Sequence, residues 1–230
     1  MGYAGFLFIS INKTHISYIK YMSKQIKLKG YFNESKDIIE IGVDEAGRGA
    51  LAGPVTVAAC IMPHGFSHPL VKDSKLLNEK ERVEAKKVVT ENALGYTVIH
   101  ISPEDIDNTN ILKATLTGMD KALRETYKKI KFNFVLVDGN QFHGFDSIPF
   151  ETIVQGDNKY TCIAAASILA KTERDSLMKE LDIKVPGYLW NSNKGYGTKQ
   201  HITAIKESGP TKHHRKTFIS HLLTTTNELF

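Results

Sequence analysis

The chain is 230 residues long, 41% hydrophobic and 24% charged, with a formal net charge of +5. That balance excludes a disordered or fibrous chain, and the length supports one substantial core with room for a small helical appendage. The surplus of cations favours a polyanionic partner, and no stretch approaches the ~20 apolar residues that a membrane span needs. The run GFLFISI (residues 5–11) has no basic region ahead of it and leads into Asn12-Lys13 rather than a small-residue cleavage site, so it does not read as a signal peptide. Cys60 falls in a strand-like run and Cys162 in a helix-like one, with no CxxC or zinc-type spacing. Both are expected to be core thiols of a protein from a reducing compartment, and the expected location is cytoplasmic.

Residues 1–37 mix Tyr3, Phe6, Phe8, Ile16 and Tyr21 with lysines and hold neither a period of 2 nor one of 3.6. They are expected to be an N-terminal extension, either an appendage on the domain or sequence ahead of an internal start at Met22. Residues 38–57 then read IIEIGVDEAGRGALAGPVTV. Ile38, Ile39, Ile41 and Val43 predict a β-strand ending in Asp44 and Glu45. Gly47-Arg48-Gly49 forms a turn, and Gly53-Pro54 opens a second strand that runs to Ile61. A dinucleotide-binding fingerprint fails here, because Ala52 stands where its third glycine belongs and a strand, not a helix, follows. Two readings remain at this point. One is a strand ending in an ordinary polar turn. The other is a metal-binding acid pair beside a turn whose glycines let backbone amides approach an anion.

Residues 62–70 are loop-like. A helix is predicted over 78–90, with Asn78 or Ser74 as its cap, and a third strand over 96–101. Ser102-Pro103 starts another helix, and residues 110–130 form a longer amphipathic one through Ile111, Leu112, Leu116, Met119, Leu123 and Tyr127. The run 132–137, apolar apart from Asn133, suits a strand covered on both faces, and it ends in Asp138-Gly139-Asn140. A fifth strand over 151–155 leads through Gly156-Asp157-Asn158 into a helix over 159–181. The small residues Ala164-Ala165-Ala166-Ser167 let that helix pack closely on a neighbour. Taken alone, Asp157 reads as an N-cap. After a short helix over 200–207 comes Lys212-His213-His214-Arg215-Lys216, expected to be a solvated or phosphate-facing strip, since its cations would repel a metal ion.

Three strand ends thus carry Asp44 with Glu45, Asp138 and Asp157. Gathered at one sheet edge, such a cluster is unfavourable unless cations neutralise it. Oxygen-only ligands select hard ions such as Mg²⁺ or Mn²⁺, and two such ions about 4 Å apart suit phosphodiester hydrolysis. With a basic surface, an anion-friendly turn and the aromatic Tyr196, the combination suits nucleic acid.

The motifs VDEAGRGALAGPV, DSKLLNEKER, SPEDIDNTNIL, LVDGN, QGDNKY, AAASILAKTERD, SNKGYGTKQH and GPTKHHRKTF occur in this order between about Glu40 and Phe218. Through them the sequence resembles ribonuclease HII, the bacterial type 2 ribonuclease H. The resemblance implies an α/β, ribonuclease H-like fold: a five-stranded mixed sheet flanked by helices, with a helical C-terminal portion. It sets residues 38–218 as the catalytic domain, between the extension 1–37 and a tail over 219–230. It implies metal-binding catalytic acids at Asp44, Glu45, Asp138 and Asp157. Gly47, Arg48 and Gly49 would contact a ribonucleotide's 2′-hydroxyl and adjacent phosphate, and Tyr196 would stack on the sugar of the following deoxynucleotide. Lys171 is expected at the phosphate backbone, and Asp175 in a structural ion pair beside Arg174.

The implied reaction is metal-dependent hydrolysis of the RNA strand of RNA–DNA hybrids. It includes cleavage 5′ to single ribonucleotides in duplex DNA and leaves a 5′-phosphate and a 3′-hydroxyl. The related ribonuclease HIII carries a different residue where Arg48 stands and a larger N-terminal domain. One alternative is another nuclease of the same fold, such as a junction resolvase, which has no call for Gly47-Arg48-Gly49 with Tyr196. A non-cleaving hybrid-binding module is the other, and it is expected to lack one or more of the acids. A monomer is expected. A sliding-clamp contact through Thr226-Asn227-Glu228-Leu229-Phe230 is weighed against a frayed terminus.

Overall fold

The computed structural model describes residues 28–223. The internal start at Met22 and the terminal clamp segment 226–230 therefore lie outside the described residues. Strands β1 (Glu40–Ala46), β2 (Val55–Ile61), β3 (Gly95–Ile101), β4 (Phe134–Asp138) and β5 (Phe150–Ile153) form one mixed sheet in the order β3-β2-β1-β4-β5. β1 pairs antiparallel with β2, and β2 with β3, whereas β4 runs parallel to both β1 and β5. The hairpin of β1 and β2 is the strand pair expected across the glycine turn. Parallel pairing brings the carboxyl ends of β1, β4 and β5 to one edge, where ligand sites of such sheets form.

β1 carries the acid pair within its last residues and runs to Ala46 along β2, with Asp44 opposite Ala58 and Glu45 opposite Val57. Its pairing with β4 ends at Val43–Val137. Asp44 and Asp138 are therefore the next residues on two adjacent strands.

The helices are α1 (Glu79–Asn92), α2 (Pro103–Asn108), α3 (Ile111–Lys129), α4 (Thr161–Lys184), α5 (Trp190–Asn193), α6 (Lys199–Ser208) and α7 (Lys216–Leu223). Asn78 caps α1 in a reciprocal box with Glu81, Ser102 caps α2 and Asn110 caps α3. On one face of the sheet, Met119, Ala122 and Leu123 of α3 cover Ile41, Val43, Val57, Val135 and Val137. On the other, α1 and α4 cover Ala58 and Cys60 with Ala85, Val89, Ala165, Ile168 and Leu169. Burial from both sides explains why β4 is apolar without alternation. Cys60 and Cys162 are buried free thiols, both pushed up by that burial, Cys162 to about 12. Helices α5, α6 and α7 build a separate cluster in which Trp190, Ile205 and Ile219 pack on Met178 and Ala52. Among the described residues no helix is long and apolar enough to cross a membrane.

Every residue of α4 from Thr161 to Ala170 is buried, as its small side chains allow. β1 meets it at Gly42, where an added Cβ would lie 2.2 Å from the Cys162 carbonyl carbon. Gly42→Ala is accordingly expected to destabilise the fold by about 3 kcal/mol, read as a lower urea midpoint. An unchanged midpoint would contradict this close approach. The segment ahead of β1 also packs on the domain. Leu28 enters the core, the Lys29 amide donates to Lys159 O at 2.8 Å, and Glu40 accepts the amides of Phe32 and Asn33.

Candidate active site

The four acids predicted from sequence meet at the sheet edge. Asp44 is 5% exposed and Asp157 1%. Burial, then the charges of Glu45 and Asp138, hold the Asp44 carboxyl well above the usual carboxylate range, against hydrogen bonds from the Ser167 hydroxyl and the Glu45 amide. Burial also raises Glu45, opposed by Arg48, whose Nη1 lies 3.2 Å from Oε1. Asp138 sits at the end of β4, and its Oδ1 accepts the Gly156 amide at 2.6 Å. This ties the β4 end to the turn that carries Asp157. That turn, Gly156–Asn158, is a short 3-10 segment, and the residue capping α4 is Tyr160. Asp157 is thus not the N-cap that its sequence position suggests.

Each carboxylate is engaged by a donor of the protein. The Lys75 ammonium lies 3.0 Å from Asp157 Oδ2, with Asp73 and Asp44 also acting on it. Among the described residues, no three Asp, Glu, His or Cys side chains close to metal-ligating spacing. The donor set nevertheless fits a hard cation. All four side chains offer oxygen, like charges raise three of them, and Asp157 Oδ1 is buried without a hydrogen-bond partner. Lys75 is a site residue that sequence reasoning passed over, although it stands in the DSK motif just ahead of α1.

Gly47, Arg48 and Gly49 form the turn between β1 and β2. Gly47 has φ +89°, and a Cβ there would fall 1.9 Å from Arg174 Nε. Only glycine suits that position. Two fully buried guanidiniums hold the turn from behind. Arg215 donates to the carbonyls of Gly47 (2.7 Å), Arg48 (2.7 Å) and Gly53 (3.1 Å). Arg174 donates to Pro54 (3.0 Å), Ala52 (3.1 Å) and Lys194 (2.9 Å). With the carbonyls drawn inward, the Arg48 and Gly49 amides meet no acceptor among the described residues, a geometry suited to an anion.

Tyr196 follows on the adjoining turn. Gly195 O accepts the amides of Leu51 and Ala52, so the two turns are stitched together, and the Tyr196 ring lies over Arg174 at 5.2 Å. The Tyr196 side is partly open, at 37% exposure.

Two expectations need correction or refinement. The strip Lys212–Lys216 is not solvated throughout, since His214 and Arg215 are buried, the latter because it holds the glycine turn. Asp175 does form an ion pair, but its partners are Arg82 (3.7 Å) and Lys171 (3.9 Å), while Arg174 is occupied with carbonyls. Lys171 lies one helical turn beyond Ser167, with Asp175 one turn further on.

A family model described as ribonuclease HII matches residues 41–224. A ribonuclease HII of Phocaeicola vulgatus is 50% identical over 184 residues, 80% of this chain and 90% of the relative. Two solved structures share the fold. Ribonuclease H2 of Pyrococcus horikoshii OT3 has a TM-score of 0.67 and 21% identity over 83% of this chain and all of its own. The PCNA:RNase HII complex of Archaeoglobus fulgidus has a TM-score of 0.64 and 24% identity over 77% of this chain and 94% of its own. With a family match over most of its length and a half-identical relative beside it, this chain belongs to the ribonuclease HII family and is an endoribonuclease, a hydrolase acting on RNA–DNA hybrids.

Proposed function

We propose that Asp44, Glu45, Asp138 and Asp157 are the catalytic acids and together hold two divalent ions, Mg²⁺ or Mn²⁺, in a family that depends on divalent metal. Ions held there would activate a water against the phosphodiester and stabilise the leaving 3′-oxygen. The observation that carries this reading is the set of like-charged, desolvated carboxyls that three separate chain segments bring to one edge. The rest falls to the protein itself. The open amides of the glycine turn and the Arg48 guanidinium receive the phosphate and the 2′-hydroxyl that distinguishes RNA. Tyr196 stacks on the sugar that follows, and Lys171 faces the backbone of the duplex. The enzyme then cuts hybrids, and DNA 5′ to an embedded ribonucleotide, leaving 5′-phosphate and 3′-hydroxyl ends, as ribonucleotide removal from DNA requires.

The deciding experiment is cleavage of a duplex with one embedded ribonucleotide, with and without EDTA. Cutting 5′ to the ribonucleotide that EDTA stops is expected, and EDTA-resistant cutting would refute the metal site. Tyr196→Ala is expected to lower kcat/KM on that duplex by about tenfold and on a continuous hybrid by less than about threefold. Equal losses would remove the junction role.

Residues 38–218 are proposed as the catalytic unit, with 1–37 as an extension and 219–230 as a tail, in a cytoplasmic monomer. A clamp contact through residues 226–230 is supported by the complex of the Archaeoglobus relative with PCNA. Deleting those five residues would then weaken binding to a sliding clamp.

A further inference from the structure

Behind Tyr196 lies a chain of buried hydrogen bonds that the reaction does not use directly. His201, on α6, is fully buried. Its Nδ1 lies 2.9 Å from the carbonyl oxygen of Tyr196. Its Nε2 faces two groups, the Trp190 indole Nε1 at 3.0 Å and His214 Nε2 at 3.2 Å. On the far side, His214 Nδ1 lies 3.0 Å from the Thr211 amide nitrogen.

The proton positions follow from the partners. Indole N–H only donates, so His201 Nε2 accepts and the proton of that ring sits on Nδ1, where it is donated to the Tyr196 carbonyl. The Thr211 amide also only donates, so His214 Nδ1 accepts and its proton sits on Nε2, pointed at His201. The two rings thus carry opposite tautomers, and every nitrogen has a partner. Both stay neutral: burial lowers His201, and burial together with the His201 ring takes His214 down to about 4. Tyr188 and Trp190 pack against the His214 ring at 4.8 and 5.3 Å between centroids.

We propose that His201 is a positioning residue for Tyr196, that its Nδ1–H fixes the carbonyl of that residue, and that His214 and Trp190 enforce the tautomer required. The proposal rests on Tyr196 reading the junction, as set out above. It makes substrate discrimination depend on a ring that touches no substrate. A second tie, the Thr198 amide on the same carbonyl at 2.8 Å, holds the peptide in register, and the His201 bond then sets its tilt.

Two near-isosteric substitutions separate positioning from packing. In His201→Gln the amide reaches the Nε2 position, serving Trp190 and His214 but leaving the Tyr196 carbonyl. His201→Asn does the reverse, keeping a donor at the Nδ1 position and abandoning the buried pair. His201→Gln is expected to lower kcat/KM on the single-ribonucleotide duplex about tenfold and to leave a continuous hybrid within about twofold, while His201→Asn keeps the wild-type ratio of the two substrates. Equal losses on both substrates in His201→Gln, or the same loss of discrimination in both variants, would overturn the proposal. Tyr196→Ala run alongside distinguishes the failures. If it changes the ratio and His201→Gln does not, positioning alone falls; if it leaves the ratio unchanged, the junction reading of Tyr196 falls too. For the folded wild-type enzyme, imidazole ¹⁵N spectra provide a test that needs no variant. A proton on Nδ1 of His201 and on Nε2 of His214 is expected, and a His201 ring protonated on Nε2 would refute the bond to Tyr196.

Discussion

Asp138→Asn is expected to lower hybrid cleavage by about a thousandfold while leaving hybrid binding intact. The change removes one charge and almost no volume, and Asn Oδ1 still accepts the Gly156 amide that Asp138 holds at 2.6 Å. What disappears is one of the charges proposed to hold the metal ions, in a reaction where electrostatic stabilisation is the largest contribution. The same substitution has a second, opposite consequence. Asp138 is one of the charges that raise Asp44, Glu45 and Asp157. In EDTA its removal relieves repulsion, and the variant is expected to melt about 2–4 °C above wild type. Excess Mg²⁺ should reverse the order, because it stabilises wild type more through mass action. Wild-type turnover in the variant, or a lower melting point in EDTA, would count against the acid cluster as a cation site.

Arg215→Met should be the most damaging change away from the acids. The guanidinium is 0% exposed and makes its three hydrogen bonds to carbonyls of Gly47, Arg48 and Gly53. Methionine fills much of the volume but pairs with none of these oxygens. Leaving buried carbonyls unsatisfied costs about 3–5 kcal/mol in total, or a fall in Tm of about 10 °C for a chain of this size. Burial and the nearby Arg174 guanidinium already bring Arg215 down to about 9, so its charge is held in place by these acceptors. Arg124, exposed and paired with Asp120 and Asp146, is the matched control, and Arg124→Met should move Tm by no more than about 2 °C. Equal effects at the two positions would refute the clamp on the glycine turn.

The sheet and its acids were legible because they rest on patterns local to the chain. Uniform apolarity of residues 134–137 indicated a strand covered on both sides, and Ala164-Ala165-Ala166-Ser167 indicated a helix that packs closely on its neighbour. Distant partners left no such pattern. The start of α7 is capped by Asp107, which accepts the amides of Lys216 and Thr217 from 109 and 110 positions away, so no local motif announced that helix. α5 begins after Leu189 at φ +58°, a backbone turn with no glycine to mark it. A run of five cationic or imidazole side chains looks solvated until carbonyls and rings from elsewhere enclose two of them, as happens to His214 and Arg215. Lys75 was hidden for the same reason, since its partner Asp157 lies 82 positions downstream.

The pairing of β1 with β4 has a consequence for how activity arises as the chain is made. Ile41 and Val135 are partners across 94 positions, and Asp44 needs both that closure and the Ser167 hydroxyl to settle. At roughly 5–20 residues per second, the ribosome releases the first acids many seconds before the segment that completes their surroundings. A nascent or truncated chain ending before α4 therefore lacks the hydroxyl that faces Asp44, and it is expected to show no cleavage until α4 has packed on β1.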